Sequence, residues 1–181
     1  MTLSGNNEGR LLEATLDRRL IVVGGGLDHA ASTELCAVLM ALDGRSPDPV
    51  TLRLSSTGGP ISEAMTIVDT IGAMRAPVTT IATGAVVGPA IAILAVSTDR
   101  VVTPTATLRP ATENGPASDM SATDAIIAAD AARDELKGLT TRLASATSRS
   151  TQDWANSFTK GELITPDSAI ELGLATRIDF R

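Results

Sequence analysis

Aromatic residues make up only 2% of this 181-residue chain: one tryptophan, two phenylalanines and no tyrosine. That shortage removes the stacking platforms on which single-stranded nucleic acids lie, and most of the aromatic anchors of tight interfaces. Lysine is almost missing too, with Lys137 and Lys160 the only two among the fifteen basic residues. With a net charge of −6 and no run of Lys or Arg to neutralise a row of phosphates, nucleic acid is not expected as a partner. Arginine used in place of lysine, beside abundant alanine and glycine, fits a bacterial source. The one cysteine, Cys36, cannot close an internal disulfide, and its apolar neighbours make it a small buried hydrophobe in a reducing compartment. A single histidine, His29, and scattered carboxylates show no metal-ligand spacing, so no metal and no cofactor are expected. Glycines 24–26 lack both the G-x-G-x-x-G spacing and a Lys-Ser/Thr ending, so they read as a turn that ends a strand. The opening MTLSGNNEGR has neither the basic start nor the apolar stretch of a secretory signal, which points to the cytoplasm.

What the chain has in quantity is aliphatic. Hydrophobic residues reach 43%, more than one domain of this size hides easily, and self-association is the expected remedy. The 23 residues between Arg75 and Asp99 carry no charge and are long enough to span a bilayer. Gly84, Gly88 and Pro89 interrupt them, and a β-branched first half gives way to Ala, Ile and Leu. A buried strand, a glycine turn and a buried helix are expected, and no membrane span.

The apolar pattern alternates between short runs and helical periods. LIVVGG from Leu20 reads as a strand, Ala30 to Leu42 as a helix stopped by Gly44, and Val50 to Leu54 as a strand. SSTGGP reads as a turn, Ser62 to Met74 as a helix with Met65, Val68 and Ile71 or Gly72 inward, and Val78 to Ala82 as a strand. A helix then opens at Pro89, where a missing N–H costs nothing. Three strand-helix units in succession imply parallel strands and right-handed crossovers, hence an α/β fold. Two short strands follow, Arg100 to Thr103 and Ala106 to Arg109, then a Gly/Pro-rich loop, Pro110 to Met120. One long helix, Ser121 to about Thr147, begins at a capping box of Ser121 and Asp124 and carries a single stripe of Ile127, Leu136, Leu139 and Leu143. Ser150 and Asp153 cap a further helix. Thr165-Pro166 starts the last one, which Gly173 ends before a strand at Thr176 to Ile178. The expectation is a single domain over 1–181. It has an N-terminal segment 1–17, a head 18–110, a loop and handle helix 111–149, and a C-terminal head portion 150–181.

Several of these segments, in this order, resemble the proteolytic subunit of the Clp protease. RRLIVVGG resembles that family's opening strand, SSTGGPISEAMTIVDTI its glycine turn and following helix, and TTIATGAVVGPAIAIL its nucleophile helix, aligned without a gap from Gly59 to Gly88. PASDM and the long helix resemble the approach to its handle, and TPDSAIELGLATRI its closing helix and strand. The resemblance runs from Arg18 to Ile178. It implies the right-handed spiral of strand-helix units of the ClpP/crotonase superfamily, with a protruding handle helix. It also implies a ring built of copies of the chain itself or mixed with active paralogues, and a Clp ATPase as a further partner. On the strand that receives the ATPase loop, Thr51 and Arg53 stand where the family has aromatic residues, which argues against docking.

The catalytic positions implied by the resemblance are changed. Gly88 stands at the nucleophile, Ala111 at the histidine and Gly161 at the aspartate. Pro89, which has no N–H, stands at one oxyanion-hole donor, while the glycine turn Gly58-Gly59 is retained. A serine-lysine pair using Lys137 would still need a serine at the glycine turn, and Ser97 falls at the far end of the helix. On these grounds the sequence points to no enzyme but a proteolytically inactive family member with a structural or regulatory place in a ring complex. Two further readings are an acyl-CoA-binding enzyme of the crotonase type, against which Pro89 counts, and a free-standing oligomeric scaffold.

Overall fold

The computed structural model describes residues 15–111 and 121–180. Its strands are β1 (Leu20–Gly26), β2 (Val50–Gly58), β3 (Val78–Val87), β4 (Asp99–Val102), β5 (Thr107–Arg109) and β6 (Arg177–Ile178). Its helices are α1 (His29–Arg45), α2 (Ile61–Ala73), α3 (Ile91–Val96), α4 (Ala122–Ala146), α5 (Thr151–Lys160) and α6 (Pro166–Glu171), with a 3₁₀ turn over Gly88–Ala90. All the named strands pair in parallel, in the order β1-β2-β3-β4-β6, and β5 adds to the far end of β3. The mixed α/β fold read from the alternation is therefore present.

Alternation within β2 sets the layers. Val50, Leu52, Leu54 and Ser56 are buried on one face, where α1, α2 and α3 lay Leu39, Leu42, Ile67, Val68 and Ile91 over them in one continuous core. Burying a side chain of this size is worth roughly 1.5–3 kcal/mol, and this face carries most of the molecule's apolar burial. The second face bears Val22, Arg53, Ile81, Val101 and Arg177, side by side in register across β1, β2, β3, β4 and β6.

Several elements run differently from their sequence reading. α1 passes through Gly44 to Arg45, because Arg19 folds back and donates to the carbonyls of Leu42, Ser46, Asp48 and Pro49, which satisfies groups that a glycine stop would have served. β2 continues through Ser55–Gly58, since Ser55 and Ser56 pair with Gly24 and Gly25 of β1. The glycine triplet accordingly lies inside a strand rather than in a turn after it. In α2 the inward positions are Ala64, Ile67, Val68 and Ile71, with Met65 half-buried and Gly72 exposed. The stripe of α4 splits: Leu139 and Leu143 are fully buried and Leu136 half-buried, but Ile127 is 63% exposed. No helix among the described residues is long and apolar enough to cross a membrane.

Candidate functional site

Parallel strands carry their ligands beyond their carboxyl ends, and here the ends of β2, β3 and β5 come together. β2 turns at Gly58-Gly59, whose position is fixed by the Leu27 N–H donating to the Gly58 carbonyl at 2.7 Å. A Cβ on Gly59 would collide with the Leu27 carbonyl oxygen, so only glycine lets the two segments approach. β3 ends at the 3₁₀ turn, where Gly88 takes φ +62°, a left-handed conformation that side chains resist. A Cβ there would lie 2.9 Å from the Ala111 carbonyl oxygen and 3.9 Å from the Gly58 Cα. Val86 and Val87 pair with Leu108 and Arg109 of β5, which delivers Ala111 to that place. Gly58, Gly88 and Ala111 thus form one backbone-walled cradle, and Gly88, Pro89 and Ala90 are buried in its floor.

Gly161 stands apart. It is the left-handed C-cap of α5, its N–H bonded to the Ser157 carbonyl, and nothing lies within 4 Å of where its side chain would start. The link to the cradle is the antiparallel bridge after it, in which Leu108 and Ile164 exchange N–H···O bonds of 3.1 and 2.7 Å. Next to it, Glu162 belongs to a cluster that sequence reading did not find. Arg149 grips both its carboxylate oxygens at 2.8 and 2.9 Å, Ser157 donates to it at 2.7 Å, and the guanidinium also lies over the Trp154 ring. These donors, Arg149 first, hold the Glu162 carboxyl down to about 2.

The remaining candidates fall elsewhere. His29 is 86% exposed at the start of α1, as expected of a surface histidine, and its Nδ1 sits 3.2 Å from Glu63. Glu63 also accepts a very short hydrogen bond from Ser32, the main reason its carboxyl lies below the ordinary range. That carboxylate stands between the serine and the histidine, so the three tie α1 to α2 and do not make a nucleophile-base pair. Lys137 is exposed on α4, and Ser97 is buried and bonded to Thr80 and to the Ile93 carbonyl. Cys36 is buried, with Thr70 donating to its sulfur. Among the described residues no three His, Cys, Asp or Glu side chains are grouped to hold a metal ion.

A model of the Clp protease family matches residues 4–180. The chain belongs to the Clp protease family. It is 27% identical to ATP-dependent Clp protease proteolytic subunit 1 of Corynebacterium glutamicum, over 98% of this chain and 87% of that protein. Against the subunit of the same name from Thermobifida fusca the figures are 29% identity, 96% and 79%. The chloroplastic proteolytic subunit 4 of Arabidopsis thaliana is 28% identical over 92% of this chain and 58% of its own length.

These relatives correct one expectation. The reading of the chain as no enzyme conflicts with a family whose members are named proteolytic subunits, and it does not stand. A missing side chain at positions chosen by resemblance speaks for those positions alone, and residues 112–120, which lead from Ala111 into α4, lie outside the described residues.

Proposed function

We propose that the chain serves as a structural or regulatory subunit of a ring-shaped Clp-type proteolytic complex in the cytoplasm, as rings of itself or mixed with other proteolytic subunits. The observation that carries this is α4. Its first half leaves Ile126 and Ile127 more than 60% exposed on a helix that packs into the core only near its other end. A neighbouring subunit is the natural cover for such a surface. In the same proposal Gly88, Pro89, Ala111 and Gly161 occupy the family's catalytic positions and the turn Gly58-Gly59 its retained oxyanion side. The meeting of Gly58, Gly88 and Ala111 in one cradle supports the first part of that assignment. A Clp ATPase is a further candidate partner, against which Thr51 and Arg53, in place of aromatic residues on the strand that would meet it, count.

Native mass spectrometry tests the reading, on the purified chain and on the chain co-expressed with proteolytic subunits from its host. Rings of six or seven, single or stacked, are expected. A lone 18.6 kDa species in both preparations overturns it.

A further inference from the structure

His29 is the only histidine of the chain, and imidazole is the side chain whose ordinary titration falls between about pH 5 and 8. It stands at the start of α1, with its Nδ1 3.2 Å from Oε1 of Glu63 in the first turn of α2. The other oxygen of Glu63 accepts from the buried hydroxyl of Ser32. An ionised carboxylate only accepts, so Nδ1 carries the hydrogen of this contact whether the ring is neutral or protonated. What protonation changes is its strength, because a charge-assisted hydrogen bond is roughly twice as strong as a neutral one. The carboxylate responds in kind: Ser32 is the largest cause of the lowered Glu63 carboxyl, and the hydrogen bond and charge of His29 add to it. The other charged group acting on the pair is Asp28, which opposes them and whose own side chain accepts from the Ala31 N–H as the cap of α1.

The same two turns build one wall of the cradle. Two residues before His29, the Leu27 N–H donates to the Gly58 carbonyl, and the Leu27 carbonyl lies where a Cβ of Gly59 would go. Just after Gly59, α2 starts at Pro60, which offers no side-chain cap, so Glu63 is the side chain that ties this first turn to α1. The turn from β1 to α1 and the turn from β2 to α2 are thus fastened twice. One fastening is backbone, at Leu27 and Gly58, and contains nothing that titrates. The other is made of side chains, His29, Ser32 and Glu63, and does.

The geometry points to His29 as a pH-dependent positioning residue: acting through Glu63, it holds the Gly58-Gly59 wall of the cradle more firmly when protonated than when neutral. The sign follows from the pair. Imidazolium is the form that a carboxylate favours, so the added hold is complete below the ordinary imidazole range and is lost as the pH rises through it. The ring is 86% exposed and open to screening by solvent, which limits the change to about threefold. All the residues belong to one chain, so the device stands apart from the ring reading.

The test is hydrogen-deuterium exchange of the full chain at about pH 5 and about pH 8, read at single backbone amides by mass spectrometry and corrected for the pH dependence of the chemical exchange step. In the wild type the Leu27 amide should lose about threefold in protection from the lower pH to the higher. In His29→Gln and Glu63→Gln its protection should be the same at both. The Val50 amide, bonded to the Pro77 carbonyl at the other end of β2, should not respond in any of them. Thermal melting reports folding, and should Glu63→Gln not fold, the wild type in about 1 M salt takes its place, since screening should erase most of the difference. No loss at Leu27 in the wild type, a loss of the same size in His29→Gln, or a matching loss at Val50 overturns the assignment.

Discussion

Leu139, Thr140 and Leu143 of α4 are buried and Leu136 is half-buried, while Thr123 to Glu135, in the same helix, are exposed or at most half-buried. The two halves share one hydrogen-bonded backbone, and the exposed half is the one rich in alanine while the other carries Gly138, Thr140 and Thr141, so helix propensity does not explain which half is buried. What separates them is what they touch: Leu139 and Leu143 join the core of α2, α3 and α5, whereas the first half depends on the Ser121-Asp124 cap and the short Arg133-Asp130 pair. Isolated helices of this length are marginal in water, and caps and surface ion pairs add only about 1 kcal/mol each. The comparison teaches that only the second half of the helix finds its packing within the chain, among the described residues.

The largest test of that contrast is Leu143→Ala. Removing a fully buried leucine should cost about 3 kcal/mol and lower Tm by about 10 °C, read by thermal melting. A loss no greater than that of an exposed-half variant would abolish the distinction. Gly88→Ala comes next and asks whether the cradle is as rigid as the buried half of α4. The left-handed backbone and the approach to the Ala111 carbonyl should together cost about 2 kcal/mol, seen as a lower urea midpoint at an unchanged slope. Wild-type stability would show that the cradle yields.

Glu162→Gln should cost about 1 kcal/mol at neutral pH, a figure reduced for the partial exposure of the carboxylate. Its pH dependence is more telling. The folded-state carboxyl is held at about 2, below its ordinary 4.5, so the stabilisation is complete above about pH 4.5 and lost as pH falls towards 2. The glutamine variant should show a flatter acid-stability curve across that window, and parallel curves would remove the Arg149-Glu162 pair as the cause. The smallest expected effect on the subunit's own stability is that of Ile126→Ser with Ile127→Ser, within about 0.5 kcal/mol under conditions where it is monomeric. The same variant should dissociate at higher concentration in sedimentation than the wild type. Unchanged assembly would mean that this half of α4 is simply solvated.

Local chemistry was legible in the sequence and distant pairing was not. The caps Ser121 and Ser150 accept the N–H of Asp124 and Asp153, the residues paired with them in the sequence, and Thr165, read as a helix start, accepts that of Ser168, because a cap is decided within one turn. The parallel sheet followed from alternation alone. By contrast, β2 runs four residues beyond its predicted end because its partners stand some thirty residues away, and Gly44 fails to stop α1 because Arg19 reaches across from before β1. The stripe of α4 had the right period, yet period says nothing of which half finds a neighbour. At the candidate site, resemblance proposed positions 58, 88 and 111, and only the β3-β5 pairing puts them in one place. The Arg149-Glu162-Ser157 cluster left no pattern to read, since its members come from the entry to α5, its last turn but one and the loop after it.

β3 is spliced into two ladders. As far as Ala82 it is a central rung-bearer between β2 and β4, and from Ala85 it carries β5 instead, with Gly84 at φ +59° and a break in register between the two stretches. Gly84 is therefore the joint between the two stretches. Beyond it the upper stretch is tied down again, to β2 at Val86-Ser56 and through β5 to the Leu108-Ile164 bridge, so these pairings hold Ala111 and Gly88 in place together. The joint lies two residues beyond Ala82, the last rung that β3 shares with both β2 and β4, and it is exposed, so the turn that aims the cradle is made by a left-handed glycine at the surface.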